Sequence, residues 1–83
     1  KTSKPGDKIT FSAEGSNGTG TYTYKLIVYN KTTNRWGLVH GFSTQKSWIW
    51  TAGSAGDREF YVDVKDASGK VVRSSALNVK TSN

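Results

Sequence analysis

Apolar and polar residues alternate along several short segments of this chain, and this alternation constrains the fold more than any other feature. Every second residue is apolar between Lys8 and Glu14, and the segment from Arg58 to Lys65 alternates in the same way. Successive side chains of a strand point to opposite faces, so this period predicts strands with one buried face. No segment of the sequence has the 3.6-residue period of a helix.

Residues that favour turns separate the alternating segments. Pro5-Gly6-Asp7 precedes the first strand, a Gly-rich connection from Gly15 to Gly20 follows it, and Asp66 to Lys70 is typical of a hairpin turn. Short strands at this spacing predict an all-β fold, an immunoglobulin-like or fibronectin-III-like antiparallel β-sandwich of six to seven strands. The predicted core consists of Phe11, Leu26, Val28, Trp50, Phe60, Val62 and Val64.

The length of the chain limits it to one domain. We interpret residues 1–83 as a single β-sandwich module excised from a longer multidomain protein, since the sequence begins at Lys1 without an initiator methionine. The longest uninterrupted apolar run, Leu26 to Tyr29, is too short to cross a membrane, so we predict no membrane insertion.

The residue inventory excludes most catalytic and metal-binding chemistry. The chain has no cysteine and a single histidine, His40, which excludes disulfides, thiolate zinc sites and multi-histidine metal sites. Neither Asp57 with Glu59 nor Asp63 with Asp66 is predicted to place two carboxylates across a cleft, as glycoside hydrolysis requires. We therefore predict no enzymatic activity, no cofactor and no metal ion.

The chain carries a formal net charge of +6, from 12 basic and 6 acidic residues. Such a charge attracts polyanions, but the basic residues are spread singly along the sequence, and several lie beside acidic ones. We interpret the charge as solubilising and as protection of strand edges, and we predict no nucleic-acid partner. A specific anionic partner is the alternative.

Two adjacent strands are predicted to carry a candidate binding surface. The longest predicted strand runs from Thr21 to Asn30, and the next runs from Arg35 to Phe42. The four-residue connection between them, Lys31 to Asn34, sets the register of a hairpin. The expected ladder pairs Tyr29 with Trp36, Ile27 with Leu38, and Lys25 with His40. The candidate ligand-binding residues on the outward face are therefore Tyr29, Trp36, Ile27, Leu38 and His40. A cross-strand aromatic pair that protects the sheet or contacts a neighbouring module is the alternative interpretation.

Several segments together resemble a known family. They are Thr21 to Asn30, Trp36 with Gly41-Phe42-Ser43, Trp48-Ile49-Trp50, Ala55 to Asp66, and Ser68 to Ser75. Over most of its length the chain resembles the triple-tyrosine domain found in tandem in clostridial exported proteins. One departure is Trp48-Ile49-Trp50-Thr51-Ala52, which lacks the proline of the family's aromatic-x-Trp-x-Pro sequence.

The resemblance implies a function without chemistry. It implies an immunoglobulin-like structural or accessory module, a spacer or an adhesion-type domain, of a secreted or cell-wall-associated protein of a Gram-positive bacterium. The expected partners are neighbouring domains of the same chain and cell-wall or other polysaccharide. The alternative function is a carbohydrate-binding module that recognises a polysaccharide through exposed aromatic residues.

Overall fold

The computed structural model describes residues 2–13 and 21–82, and these residues form eight strands. The strands are β1 (Thr2–Ser3), β2 (Lys8–Ser12), β3 (Thr23–Asn30), β4 (Arg35–Ser43), β5 (Ser47–Thr51), β6 (Gly56–Lys65), β7 (Val71–Arg73) and β8 (Leu77–Thr81). The predicted all-β architecture is confirmed, although the described residues form eight strands where six to seven were predicted. The Gly-rich connection from Gly15 to Gly20 lies outside the described residues. No helix long and apolar enough to cross a membrane occurs in residues 2–13 and 21–82.

The strands form two sheets. The larger sheet has the order β1-β8-β6-β3-β4, with β7 beside β6, and the smaller sheet consists of β2 and β5. Strand β6 pairs with β3 along one edge, and with β8 and then β7 along the other. The pairing of β1 with β8 is parallel, so the prediction of an entirely antiparallel sandwich is wrong at this edge.

The core lies where the two sheets face each other. Phe60 of the larger sheet is fully buried, and its ring centroid lies 4.4 Å from that of Phe11 and 4.9 Å from that of Trp50, both from the smaller sheet. Of the predicted core, Phe11, Leu26, Phe60 and Val62 are buried, while Val28, Trp50 and Val64 are partly buried and packed against them. The alternation of apolar residues therefore identifies the facing surfaces correctly.

The hairpin between β3 and β4 has the predicted turn. Asn30 Oδ1 accepts hydrogen bonds from the backbone N–H groups of Thr32 and Thr33, and Asn34 adopts a left-handed φ of 57°, which asparagine tolerates better than most residues. The predicted pairs Tyr29 with Trp36 and Ile27 with Leu38 are confirmed.

A register shift then separates Lys25 from His40. Leu26 lies opposite His40, while Ile27 lies opposite Leu38, so Val39 is an extra residue on β4. Val39 is partly buried against the core. The predicted pairing of Lys25 with His40 is wrong because this bulge moves the register by one residue.

The turn between β6 and β7 returns the chain along β6. Asp66 Oδ1 accepts hydrogen bonds from the backbone N–H groups of Ser68 and Lys70 and from the Ser68 hydroxyl. Gly69 has a φ of 91°, which glycine adopts without steric cost. The resulting register sets Arg73 opposite Asp63.

Candidate functional site

The outward face of the larger sheet carries an apolar cluster made by three neighbouring strands. Tyr29 of β3 lies opposite Trp36 of β4, and Ile27 of β3 lies between Leu38 of β4 and Tyr61 of β6. Cross-strand partners point to the same side of a sheet, so these five side chains share one surface. We call this surface, consisting of Ile27, Tyr29, Trp36, Leu38 and Tyr61, the aromatic face.

Trp36 lies across the neighbouring strand. Its ring centroid is 4.9 Å from that of Tyr29 and 5.7 Å from that of Tyr61. Strand β3 separates β4 from β6, whose backbones are therefore about 10 Å apart. The Trp36 and Tyr61 side chains therefore meet above β3, and the indole remains largely exposed to solvent.

The exposure of the aromatic face fits this orientation. Trp36 is 57% exposed and Leu38 is 65% exposed, whereas Ile27 beneath them is only 9% exposed. The Tyr29 hydroxyl donates a hydrogen bond of 3.0 Å to Asn34 Oδ1, which restrains one neighbouring ring. The aromatic face therefore packs against the sheet on its inner side and is exposed to solvent on its outer side.

Tyr61 is restrained by an acidic neighbour on its own strand. Its hydroxyl donates a hydrogen bond of 3.2 Å to Glu59 Oε1. Desolvation, and next the hydrogen bond to the Glu59 carboxylate, raises the pKa of Tyr61 above its ordinary value. The phenol therefore stays protonated and remains a donor at neutral pH.

A buried carboxylate and two cations adjoin the aromatic face. Asp63 of β6 is only 3% exposed, and its oxygens accept hydrogen bonds from Arg73 Nε at 2.8 Å and Arg73 Nη2 at 3.2 Å. Lys25 Nζ lies 3.5 Å from Asp63 Oδ2. The hydrogen bonds from Arg73 hold the pKa of Asp63 below its ordinary value, although burial opposes this effect.

Arg73 links this ion pair to the aromatic residues. Its guanidinium carbon lies 5.6 Å from the ring centroids of both Trp36 and Tyr61. A cation at this distance from an aromatic ring is attracted by the ring's quadrupole. Arg73 therefore supports the position of the Trp36 indole while its donors are held by Asp63.

At the other end of the same surface, the ammonium groups of two lysines lie near one aromatic ring. Lys25 Nζ lies 4.8 Å, and Lys65 Nζ 4.3 Å, from the ring centroid of Phe42. Lys25 lies four residues before Tyr29 on β3, which corresponds to about 14 Å along the strand. The aromatic face, the Arg73–Asp63 pair and these lysines therefore form a continuous track along the strands.

The structure brings together four of the five candidate residues. Tyr29, Trp36, Ile27 and Leu38 are neighbours, but His40 is not among them. Its ring centroid lies 6.5 Å from that of Trp48, and its Nδ1 lies 2.9 Å from the Gly41 carbonyl oxygen. Because Trp48 belongs to the core, His40 points toward the smaller sheet.

Sequence reasoning missed the part of the surface contributed by β6 and β7. The alternation in β6 already placed Tyr61 and Asp63 on one face, outward from Phe60 and Val62. The alternation alone does not show that β6 lies next to β3. That pairing puts Tyr61 beside Ile27 and Asp63 beside Lys25.

Comparisons with known proteins give no relative for this chain. No family model matches it, and no curated protein sequence or solved structure does so. In the described part of the chain, no three His, Cys, Asp or Glu side chains are grouped so that they could hold a metal ion.

Proposed function

We propose that the protein is a non-catalytic, immunoglobulin-like accessory module of adhesion type, belonging to a secreted, cell-wall-associated bacterial protein. In this proposal the aromatic face binds polysaccharide and so helps to hold the parent protein on its surface. The observation that carries the proposal is the Trp36 indole, which lies over β3 and leaves more than half of its surface to solvent.

An exposed indole ring can bind a sugar by stacking against it. A pyranose ring presents a flat array of C–H groups, and aromatic rings offer a rigid apolar surface with little conformational entropy to lose. Trp36 is held by Tyr29, Tyr61 and Arg73, so the binding surface is largely formed before the ligand arrives. An exposed apolar patch on a small domain also favours a contact function over a purely structural one.

The test is retention of the protein on insoluble cellulose, starch and peptidoglycan. We expect saturable retention of the wild type on at least one of them, and about tenfold weaker retention of Trp36→Ala, because stacking is lost. The matched control is Ile49→Ala, since Ile49 is 67% exposed on the smaller sheet. Equal retention of Trp36→Ala and wild type would contradict the proposal.

The same variants test for misfolding. Trp36→Ala should lower the free energy of unfolding by about 1 kcal/mol, because the side chain is largely exposed but gives up its ring contacts. Trp36→Phe should recover part of the retention, since a smaller ring still offers a stacking surface.

A contact with a neighbouring domain of the same chain is the second candidate function. Leu38 favours it, because an aliphatic side chain that is 65% exposed beside Trp36 suits protein packing. In that case the wild type shows no saturable retention on any of the three polysaccharides. A Leu38→Ser variant would then weaken association with the adjacent domain added as a separate protein.

A further inference from the structure

We propose that the polysaccharide bound by the aromatic face is acidic, and that Lys25 and Lys65 bind its carboxylate or phosphate groups. This inference rests on the proposed function and names the chemical class of its ligand. It starts from charges that are scattered in the sequence and that the fold assembles on the same surface as Trp36.

The cations on this part of the surface outnumber the carboxylates. Lys25, Lys65 and Arg73 surround a single acidic side chain, Asp63, whose oxygens already accept two hydrogen bonds from Arg73. Among the residues that the structure describes, Lys65 belongs to no ion pair. Two positive charges are therefore left over after Asp63 is counted.

The other acidic residues near the lysines do not neutralise them. Asp66 follows Lys65 directly, but its Oδ1 accepts hydrogen bonds from the Ser68 and Lys70 backbone N–H groups in the turn. The positive charge of Lys70 lies beside this carboxylate, so Asp66 and Lys70 together leave the balance of charge unchanged.

The acidic residue at the opposite end of β6 is farther away. Glu59 lies six residues before Lys65 on β6, which corresponds to about 20 Å along the strand. It also lies beside Tyr29 and accepts the hydrogen bond from Tyr61. The lysine end of the track is thus positive, and the Glu59 carboxylate lies at the far end.

The ammonium groups of the two lysines also lie near the same aromatic ring. Both ammonium groups lie against the Phe42 ring, at 4.8 Å and 4.3 Å from its centroid, which restrains two like charges in one small region. Like charges at neighbouring sheet positions repel each other, and an anion between them removes this repulsion. A lysine ammonium has three donors on a flexible stem and adapts to either a carboxylate or a phosphate.

The distance between the two halves of the track favours a polymer over a small ligand. Tyr29 and Lys25 are separated by about 14 Å along β3. Asp63 lies opposite Lys25, and the Arg73 guanidinium reaches from Asp63 to the Trp36 and Tyr61 rings. A ligand that both stacks on Trp36 and reaches the lysines must therefore be extended along the strands. A glycan chain with repeated anionic groups meets this requirement.

The experiment compares matrices that share one backbone: cellulose, carboxymethyl cellulose and cellulose phosphate. The measurement is the apparent affinity in a binding isotherm at fixed ionic strength, because polyanion binding weakens with salt. We expect wild type to bind one or both charged matrices more tightly than cellulose. Lys25→Gln/Lys65→Gln should bind them at least about tenfold more weakly, as expected for loss of charge-assisted hydrogen bonds.

A charge-matched control separates this site from the net charge of +6. Lys8→Gln/Lys46→Gln removes the same two charges from exposed positions near the smaller sheet and should keep near-wild-type affinity. Lys65→Gln alone should show part of the loss, and since Lys65 has no ion pair in the described residues, this variant leaves the Asp63 interactions intact.

Each result decides between stated alternatives. Preference for the carboxylated matrix or the phosphorylated one identifies the source of the anion. Equal losses in the two double variants would show that only net charge matters and would overturn the inference. If Trp36→Ala weakens binding while the charged matrices bind no better than cellulose, the glycan is neutral and the proposed function still stands. If wild type binds none of these matrices or those named above, both proposals fall.

Discussion

Phe60→Ala should lower the free energy of unfolding by about 3 to 5 kcal/mol, the usual cost of removing a large buried aromatic side chain. Phe60 has no exposed surface, and its ring contacts Phe11 and Trp50 across the gap between the sheets. A domain of this size is stabilised by only about 4 to 12 kcal/mol, so one substitution removes a large share. Urea unfolding followed by tryptophan fluorescence measures the loss.

Two other variants provide reference values for the loss of unfolding free energy expected of Phe60→Ala. Trp50→Ala should cost less, about 2 to 3 kcal/mol, because Trp50 is only partly buried and one side of its ring lies near the Arg58 guanidinium. Ile49→Ala should change stability by less than about 0.5 kcal/mol, since Ile49 is exposed. If Phe60→Ala instead unfolded at the same urea concentration as Ile49→Ala, the packing of the two sheets described above would be wrong.

The parts of the fold that depend on local sequence could be predicted. Alternation in β2 and β6 identified Phe11, Phe60 and Val62 as core residues, because a strand buries every second side chain. The four-residue connection after Asn30 gave the register of Tyr29 with Trp36, because loop length fixes how two antiparallel strands meet.

The parts that depend on distant residues could not be predicted. Nothing local shows that β6 lies beside β3, and this pairing is what brings Tyr61 and Asp63 into the candidate site. The local alternation also gives no sign of the bulge at Val39, which sets His40 opposite Leu26 and away from Lys25. Basic residues that are far apart in the sequence become neighbours only when the strands pair. The distribution of charge along the sequence therefore does not reveal this cluster.

Asp63 is the acidic residue on which the site and the fold both depend. It is buried, two hydrogen bonds join it to Arg73, and Lys25 lies within ion-pair distance. The Arg73 side chain is 49% exposed, so water can replace part of its lost interactions. The cost of removing the carboxylate is therefore smaller than that of breaking a fully buried ion pair.

Asp63→Asn should lower the free energy of unfolding by about 2 kcal/mol at neutral pH, because charge-assisted hydrogen bonds are lost and the new amide turns a donor toward the Arg73 and Lys25 donors. The pKa of Asp63 is lowered by folding from an ordinary value of 3.8, so its ionised form stabilises the protein above that pH. This stabilisation is lost as the pH falls through the lowered pKa.

A protonated aspartate and an asparagine are both neutral and nearly equal in shape. The difference in stability between wild type and Asp63→Asn should therefore be constant at neutral pH, shrink below about pH 3.8 and disappear in stronger acid. Asp57→Asn makes the same chemical change at an exposed position of β6 and should alter stability by less than about 0.5 kcal/mol. Urea unfolding from neutral pH into acid measures both differences, and a gap for Asp63→Asn that persists undiminished into strong acid would show that its cost is steric and that the Arg73–Asp63 pair adds no pH-dependent stability.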